Sequence, residues 1–274
     1  MNKLLLIIGR PYSAKSTYVA QFYTRLQKKK SKLYFYQPVE DITAIKEARE
    51  ALSKGEETTT TPPEKNAEIM LPIQVGEERV IIKYPDYGGE QINKIILLRE
   101  IDNKWEKAIK ESNHWLLFIR ITNLTSESDL SKKTVTDEII SDKKEKSDVE
   151  YQISDQSFLI ELLQIFLNSK GYNFHLKNAE IKLTIVLTCW DELKTQEKPI
   201  QIMSKNLPLL LEFVKTNWDT NYLKIVGLSP QGFSLNDAAN KEKYQLYGSE
   251  NYGYYINKDG KKSDDITELI LDAL

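Results

Sequence analysis

The segment Gly9-Arg10-Pro11-Tyr12-Ser13-Ala14-Lys15-Ser16-Thr17 follows directly on the apolar run Leu4-Leu5-Leu6-Ile7-Ile8. A short apolar run ending in a glycine-led polar loop reads as a buried strand entering a turn, with a helix to follow. Gly9, Lys15 and Ser16 keep the spacing of a phosphate-binding loop, and Ala14 stands where the second glycine belongs. Backbone N–H groups of such a loop, together with the start of the next helix, surround an anionic phosphate chain. In that reading Ser13, Ala14 and Thr17 complete the cradle, Lys15 reaches the β- and γ-phosphates, and the Ser16 hydroxyl faces Mg²⁺. A Cβ at position 14 costs about 1 kcal/mol where the backbone is unusual, so the cradle is expected to survive with lower affinity. The competing reading is a plain strand–turn–helix with Lys15 solvated in the first turn.

Further segments extend the pattern in order. Arg79–Tyr84 alternates and is β-branched, as a strand should be, and runs into Pro85-Asp86-Tyr87-Gly88-Gly89-Glu90. An Asp at a strand's end followed by Gly three residues later suits a nucleotide switch. Asp86 would hold Mg²⁺ through water, and the Gly89 N–H would meet the γ-phosphate. An ordinary strand-to-helix turn is the alternative. Between the first helix and this strand lies Gly55–Pro63, with Thr58-Thr59-Thr60-Thr61 at its centre. One of these threonines, with Thr60 taken as the metal-facing one, would close over Mg²⁺; a polar flexible loop is the other reading.

A third strand-like run, Ile181–Leu187, leads into Thr188-Cys189-Trp190-Asp191. GTPases carry Asn-Lys-x-Asp here, and a carboxylate accepting two hydrogen bonds from guanine rejects adenine strongly. Asp191 matches that residue, Thr188 replaces the Asn, and Cys189 replaces the Lys. Otherwise Asp191 caps the following segment. A last short strand, Lys224–Gly227, ends near Ser229, which in the GTPase plan backs the base.

The ordered set resembles the P-loop GTPases of the translation-factor-like (TRAFAC) class, and more narrowly the double-GTPase type domains of bacterial conflict and defence systems. The resemblance spans roughly residues 3 to 230. It implies an α/β P-loop fold, mostly parallel, with one antiparallel strand and helices on both faces. It also implies GTP/GDP and Mg²⁺ as ligands and a switch role beside an effector or regulatory protein. Catalysis is where the chain departs: Glu90 stands where a water-orienting glutamine is usual. A carboxylate brings negative charge towards phosphate, so unassisted hydrolysis should be slow. Arg10 would supply compensating charge in cis, or else point outward into solvent. Two further classes stay open: a nucleotide-binding sensor or scaffold without hydrolysis, and an ATP-dependent P-loop protein.

Composition narrows the remaining classes. The 274 residues carry a net charge of −2, which argues against a nucleic-acid binder that works by neutralising phosphates. No apolar run approaches the ~20 residues of a membrane span. The lone Cys189 leaves no internal disulfide and fits a reducing cytoplasm. His114 and His175 sit in no ligand cluster. The chain reads as a single domain over 1–274, with a polar surface insertion at 122–152 and a tyrosine-rich extension with a closing helix at 240–274. The tyrosines, Tyr244, Tyr247, Tyr252, Tyr254 and Tyr255, would either cover a sheet edge or form a partner surface. Spacing further predicts helices at Lys15–Gln27, Ile42–Leu52, Glu90–Glu111 in two parts, Ser157–Asn168, Ile200–Phe213 broken at Pro208, and Asp264–Leu274. A hairpin is expected through Gly76-Glu77.

Overall fold

A computed structural model of the chain describes residues 3–58, 66–87, 90–124, 154–172 and 176–274. Nine strands form one sheet: β1 (Lys3–Gly9), β2 (Tyr34–Phe35), β3 (Asn66–Val75), β4 (Glu78–Tyr87), β5 (His114–Arg120), β6 (Lys182–Thr188), β7 (Leu223–Ser229), β8 (Tyr254–Ile256) and β9 (Lys262–Ser263). Their spatial order is β2-β3-β4-β1-β5-β6-β7-β8-β9. The helices are α1 (Lys15–Gln27), α2 (Thr43–Ser53), α3 (Glu90–Leu98), α4 (Asn103–Glu111), α5 (Asp155–Ser169), α6 (Trp190–Leu193), α7 (Pro199–Asn206), α8 (Pro208–Asn217), α9 (Ala238–Tyr247) and α10 (Glu268–Ala273).

Alternation along β1 explains the layering. Leu5 and Ile7 face one side and pack with α1, α2 and α10, while Leu6 and Ile8 face the other and pack with α3, α4, α5, α7 and α8. All four side chains are essentially buried, as expected of a central strand covered on both faces. Strands β4, β1, β5, β6 and β7 are mutually parallel. The expected hairpin is present, with Val75 opposite Glu78, so β3 runs against its neighbour β4. A second opposed strand, beyond the one anticipated, is β8, which pairs antiparallel with β7.

Chain order reverses at β1: later strands first fill the β4 side, then the β5 side. In open α/β sheets, ligands bind at such a switch point, outside the carboxyl ends of the strands. Gly9 ends β1 there with φ +151°, and a Cβ on it would lie 2.5 Å from the Phe118 carbonyl oxygen. Glycine is therefore required where β1 leaves the sheet.

One helix expectation holds and one needs correction. The stretch from Ile200 to Phe213 is α7 and α8, meeting at Leu207, with Pro208 as the first residue of the second helix. A proline has no N–H to contribute and so starts a helix more readily than it continues one. The closing helix starts at Glu268 rather than Asp264. The Asp265 carboxylate takes the Thr267 N–H at 2.9 Å and its hydroxyl at 2.7 Å, holding that stretch in a turn.

The tyrosines divide by position. Tyr244 and Tyr255 are buried, Tyr252 and Tyr254 half-buried, and Tyr247 exposed. Tyr244 stacks on Tyr252 at 4.9 Å. The insertion expected at 122–152 falls almost wholly outside the described residues.

Candidate nucleotide site

The loop after β1 keeps its shape through unusual backbone. Tyr12 and Ala14 both have positive φ, +62° and +58°. Ala14 is left-handed (ψ 23°) at the entry to α1, the conformation for which glycine would be chosen. The Ser13 hydroxyl donates to the Arg10 carbonyl at 2.8 Å. The Lys15 ammonium donates to the same carbonyl at 2.6 Å and to Ser13 Oγ at 3.1 Å, so it lies folded over the loop rather than extended into solvent. Ser16 Oγ is 2.8 Å from the Tyr84 hydroxyl, and Thr17 Oγ1 is 2.6 Å from Thr58 Oγ1. These contacts tie the first turn of α1 to β4 and to the start of the threonine segment.

Arg10 is neither at the phosphate-facing side of the loop nor simply solvated. Its guanidinium pairs with the buried carboxylate of Asp155, at the start of α5, and lies 4.6 Å over the Phe158 ring. Burial pulls its pKa down from the usual arginine value. A buried carboxylate holds a guanidinium strongly, because either charge left alone would be costly. The in-cis catalytic role expected for Arg10 is thus not what its side chain serves here.

At the far end, Cys189 follows β6 with φ +52° and stands just before α6 as its N-cap residue. Asp191 is in the first turn of α6, and its Oδ1 accepts from the Ser229 hydroxyl at 2.5 Å. Ser229 Oγ in turn accepts from the Gly232 N–H at 2.9 Å. Burial raises the Asp191 pKa, and the Ser229 hydrogen bond works against that rise. Thr188 is buried beneath. Burial pushes the Cys189 thiol up to about 12, which leaves it protonated and without nucleophilic character.

These two ends belong to one open cleft. It is lined by Gly9 and Ser13–Thr17 on the loop side and by Cys189, Asp191, Glu192, Pro230 and Gln231 on the other, with Thr58, Tyr84 and Arg120 between. Strand order brings them together: β1, β5, β6 and β7 are neighbours, so their carboxyl ends share one rim. Asp86 is the last residue but one of β4, next to β1, and Glu90 is the first residue of α3; their side chains lie outside what is described. Thr60 and Gly89 fall outside the described residues, as does His175. His114 opens β5 at the opposite pole, where burial, then Lys182 and Lys3, lower its pKa to about 4.

Sequence reading missed Tyr84, Arg120, Glu192 and Gln231. Only Arg120, a lone charge ending the apolar run Trp115–Ile119, left a signal that could have been used.

The fold and the cleft define a P-loop nucleotide-binding α/β protein. A Double-GTPase 1 family profile matches residues 6–273, and the chain belongs to that family; by family it is a GTPase. No curated protein matches it. Among solved structures it is similar to the Arl6 BBS3 small GTPase of Trypanosoma brucei with the bound nucleotide analogue GppNp. That likeness has 8% identity and a TM-score of 0.41, covering 91% of this chain and 98% of that one. It is also similar to the S. cerevisiae Ski7 GTPase-like domain bound to GDP and inorganic phosphate, at 12% identity and a TM-score of 0.43 over 84% of this chain. A third is the bacterial selenocysteine-specific elongation factor EF-Sec, at 13% identity and a TM-score of 0.36 over 90% of this chain. The chain spans 43% and 29% of the latter two proteins. Among the described residues no helix is long and apolar enough to cross a membrane.

Proposed function

We propose that the protein binds Mg²⁺-GTP across this cleft and hydrolyses it slowly, switching a partner protein between two states. One observation carries the reading: Lys15 and Asp191, from loops far apart in the chain, line the same cleft. In it the Lys15 ammonium leaves the Arg10 carbonyl for the phosphate chain, and loop N–H groups and the start of α1 receive the oxygens. Asp191 accepts from the guanine edge while Ser229 keeps its carboxylate oriented.

For the metal, the donors are hard oxygens: the Ser16 hydroxyl and a carboxylate at Asp86, with Thr60 from the threonine segment. That donor set suits Mg²⁺, which is usually bound by one or two protein oxygens plus phosphates and water. When bound, the ion would neutralise charge on the phosphate oxygens.

Slow hydrolysis follows from the charge arrangement. Glu90 adds a carboxylate where a neutral amide is usual, and Arg10 is committed to Asp155. The cation that stabilises transition-state charge is then supplied by the partner. The resemblance to double-GTPase domains of bacterial defence systems makes such a system the setting for that partner.

The test is a binding screen with Mg²⁺ across GTP, GDP, ATP and ADP, followed by single-turnover phosphate release. Guanine nucleotides are expected to bind well above adenine nucleotides. Lys15→Ala should abolish tight triphosphate binding, and Asp191→Asn should lose guanine preference and gain xanthine, whose 2-oxo group needs a donor. Equal binding of ATP and GTP by the wild type would defeat the guanine assignment. Tight GTP binding with no phosphate release, even over long single turnovers, would leave the sensor reading in its place.

A further inference from the structure

Arg120 is the last residue of β5 and lies in register with Thr188, the last residue of β6. Thr188 is paired on its other side with Leu228 of β7. The turn that carries Asp191 is therefore flanked by Arg120 on one side and by Pro230 and Gln231 on the other, all lining the cleft. Strands lie ~4.8 Å apart, so these flanks are separated by roughly 10 Å. A flat ring in van der Waals contact on both faces needs about 7–8 Å between its neighbours. The Asp191 turn thus lies between two walls whose strand spacing can admit a planar ring.

The Arg120 side chain is held in a defined plane. Its Nε donates to Glu192 Oε2 at 3.1 Å and its Nη2 to Glu192 Oε1 at 2.5 Å. The Thr122 hydroxyl donates to Oε2 of the same carboxylate, giving Glu192 a second anchor. The Arg120 side chain as a whole is 32% exposed. The Nε–Nη2 edge of the guanidinium is committed to Glu192. Its faces are not. A guanidinium pinned by a carboxylate stacks on aromatic rings, and the carboxylate spares the base the company of an unpaired charge.

We propose that Arg120, held flat by Glu192 and Thr122, is the face on which the purine ring stacks at the Asp191 end of the cleft. The proposal rests on the nucleotide reading given above. It divides the labour at that end: Asp191 reads the edge of the base, and Arg120 supplies affinity through the ring face, largely regardless of which purine it is. Glu192 is a positioning residue and acts only through Arg120.

The experiment measures dissociation constants by calorimetry in Mg²⁺ buffer for GDP, guanosine and inorganic tripolyphosphate. Arg120→Ala is expected to weaken GDP and guanosine by the same factor, about tenfold, and to leave tripolyphosphate unchanged. Arg120→Lys keeps the charge and loses the plane, so it should recover only part of the GDP affinity. Glu192→Gln should show a smaller loss of the same kind. Wild-type GDP affinity in Arg120→Ala or in Arg120→Lys overturns the stack. So does an equal loss for tripolyphosphate, which would put the guanidinium on the phosphates. Arg120→Lys carries the test should the alanine variant fail to fold. Failure of the underlying nucleotide reading looks different: the wild type would then bind neither GDP nor tripolyphosphate, and both ideas would fall together.

Discussion

Ala14 is the residue at which sequence and structure meet most directly. Its side chain departs from the glycine of the phosphate-loop pattern, yet its backbone adopts the left-handed conformation that glycine serves. For an L-residue that conformation costs roughly 1–2 kcal/mol. Ala14→Gly removes the strain but adds freedom to the unfolded chain, which takes back about 0.5–1 kcal/mol. The variant should therefore be slightly more stable, by about 0–1.5 kcal/mol, and should bind tripolyphosphate more tightly because the loop amides can adjust to the ligand. Urea unfolding and calorimetry on the two proteins check this; weaker phosphate binding in the glycine variant would show that the methyl group supports the loop. The same residue scale shows what was legible in the sequence. Gly9, Lys15, Ser16 and Asp191 were readable because local spacing alone specifies their place at a strand's end. Arg120 and Tyr84 were not, because their roles depend on partners 72 and 68 residues away in the chain. Arg10 misled because loop position says nothing of Asp155, which arrives from α5.

At the scale of elements, periodicity carried most of the information. The hairpin of β3 and β4 and the two-part helix of α3 and α4 follow from alternation, turn residues and apolar spacing. The second opposed strand, β8, is only three residues long; Tyr254-Tyr255-Ile256 and the turn Asn257–Gly260 mark it as a strand end or hairpin, but not its direction in the sheet. Its place is set by tertiary pairing with β7. How elements aim a functional group is clearest at β7 and α6. Gly227 in β7 has no side chain because the Trp190 ring lies against it, and a Cβ there would come within 2.5 Å of the ring. Trp190 is the first residue of α6 and adjoins Asp191. Gly227→Ala forces the indole to move, and overpacking of this kind costs about 1–3 kcal/mol. The displacement should reach Asp191, so guanine affinity is expected to fall several-fold while tripolyphosphate binding holds. An alanine variant with both affinities intact would mean that α6 tolerates the shift without turning its carboxylate.

For the molecule as a whole, the helix that carries the phosphate loop is fastened by the other end of the chain. Arg25, in the last turn of α1 and 4% exposed, donates to the carbonyl of Asp264 at 2.7 Å and of Tyr252 at 2.6 Å. Its Nη1 lies 3.7 Å from the Asp265 carboxylate. Nearby, Gln21 reaches the Tyr244 hydroxyl at 3.1 Å and the Ser249 carbonyl at 3.0 Å. Taking Arg25 away leaves the Asp264 and Tyr252 carbonyls without this donor and Asp265 without its facing cation. The cost of stranding such groups is about 3–5 kcal/mol, against a total stability of order 5–15 kcal/mol for a domain. Arg25→Ala should thus lower the urea midpoint severely, and Arg25→Lys should restore only part, since an ammonium cannot span three carbonyl and carboxylate partners in one plane. Because none of these contacts faces the cleft, the folded fraction should keep its affinity for GDP. Ligand at about 100 times its dissociation constant then returns roughly 2.7 kcal/mol to wild type and variant alike. A variant that gains markedly less from saturating GDP than the wild type would show instead that the far end of α1 helps to set the shape of the phosphate loop at its start.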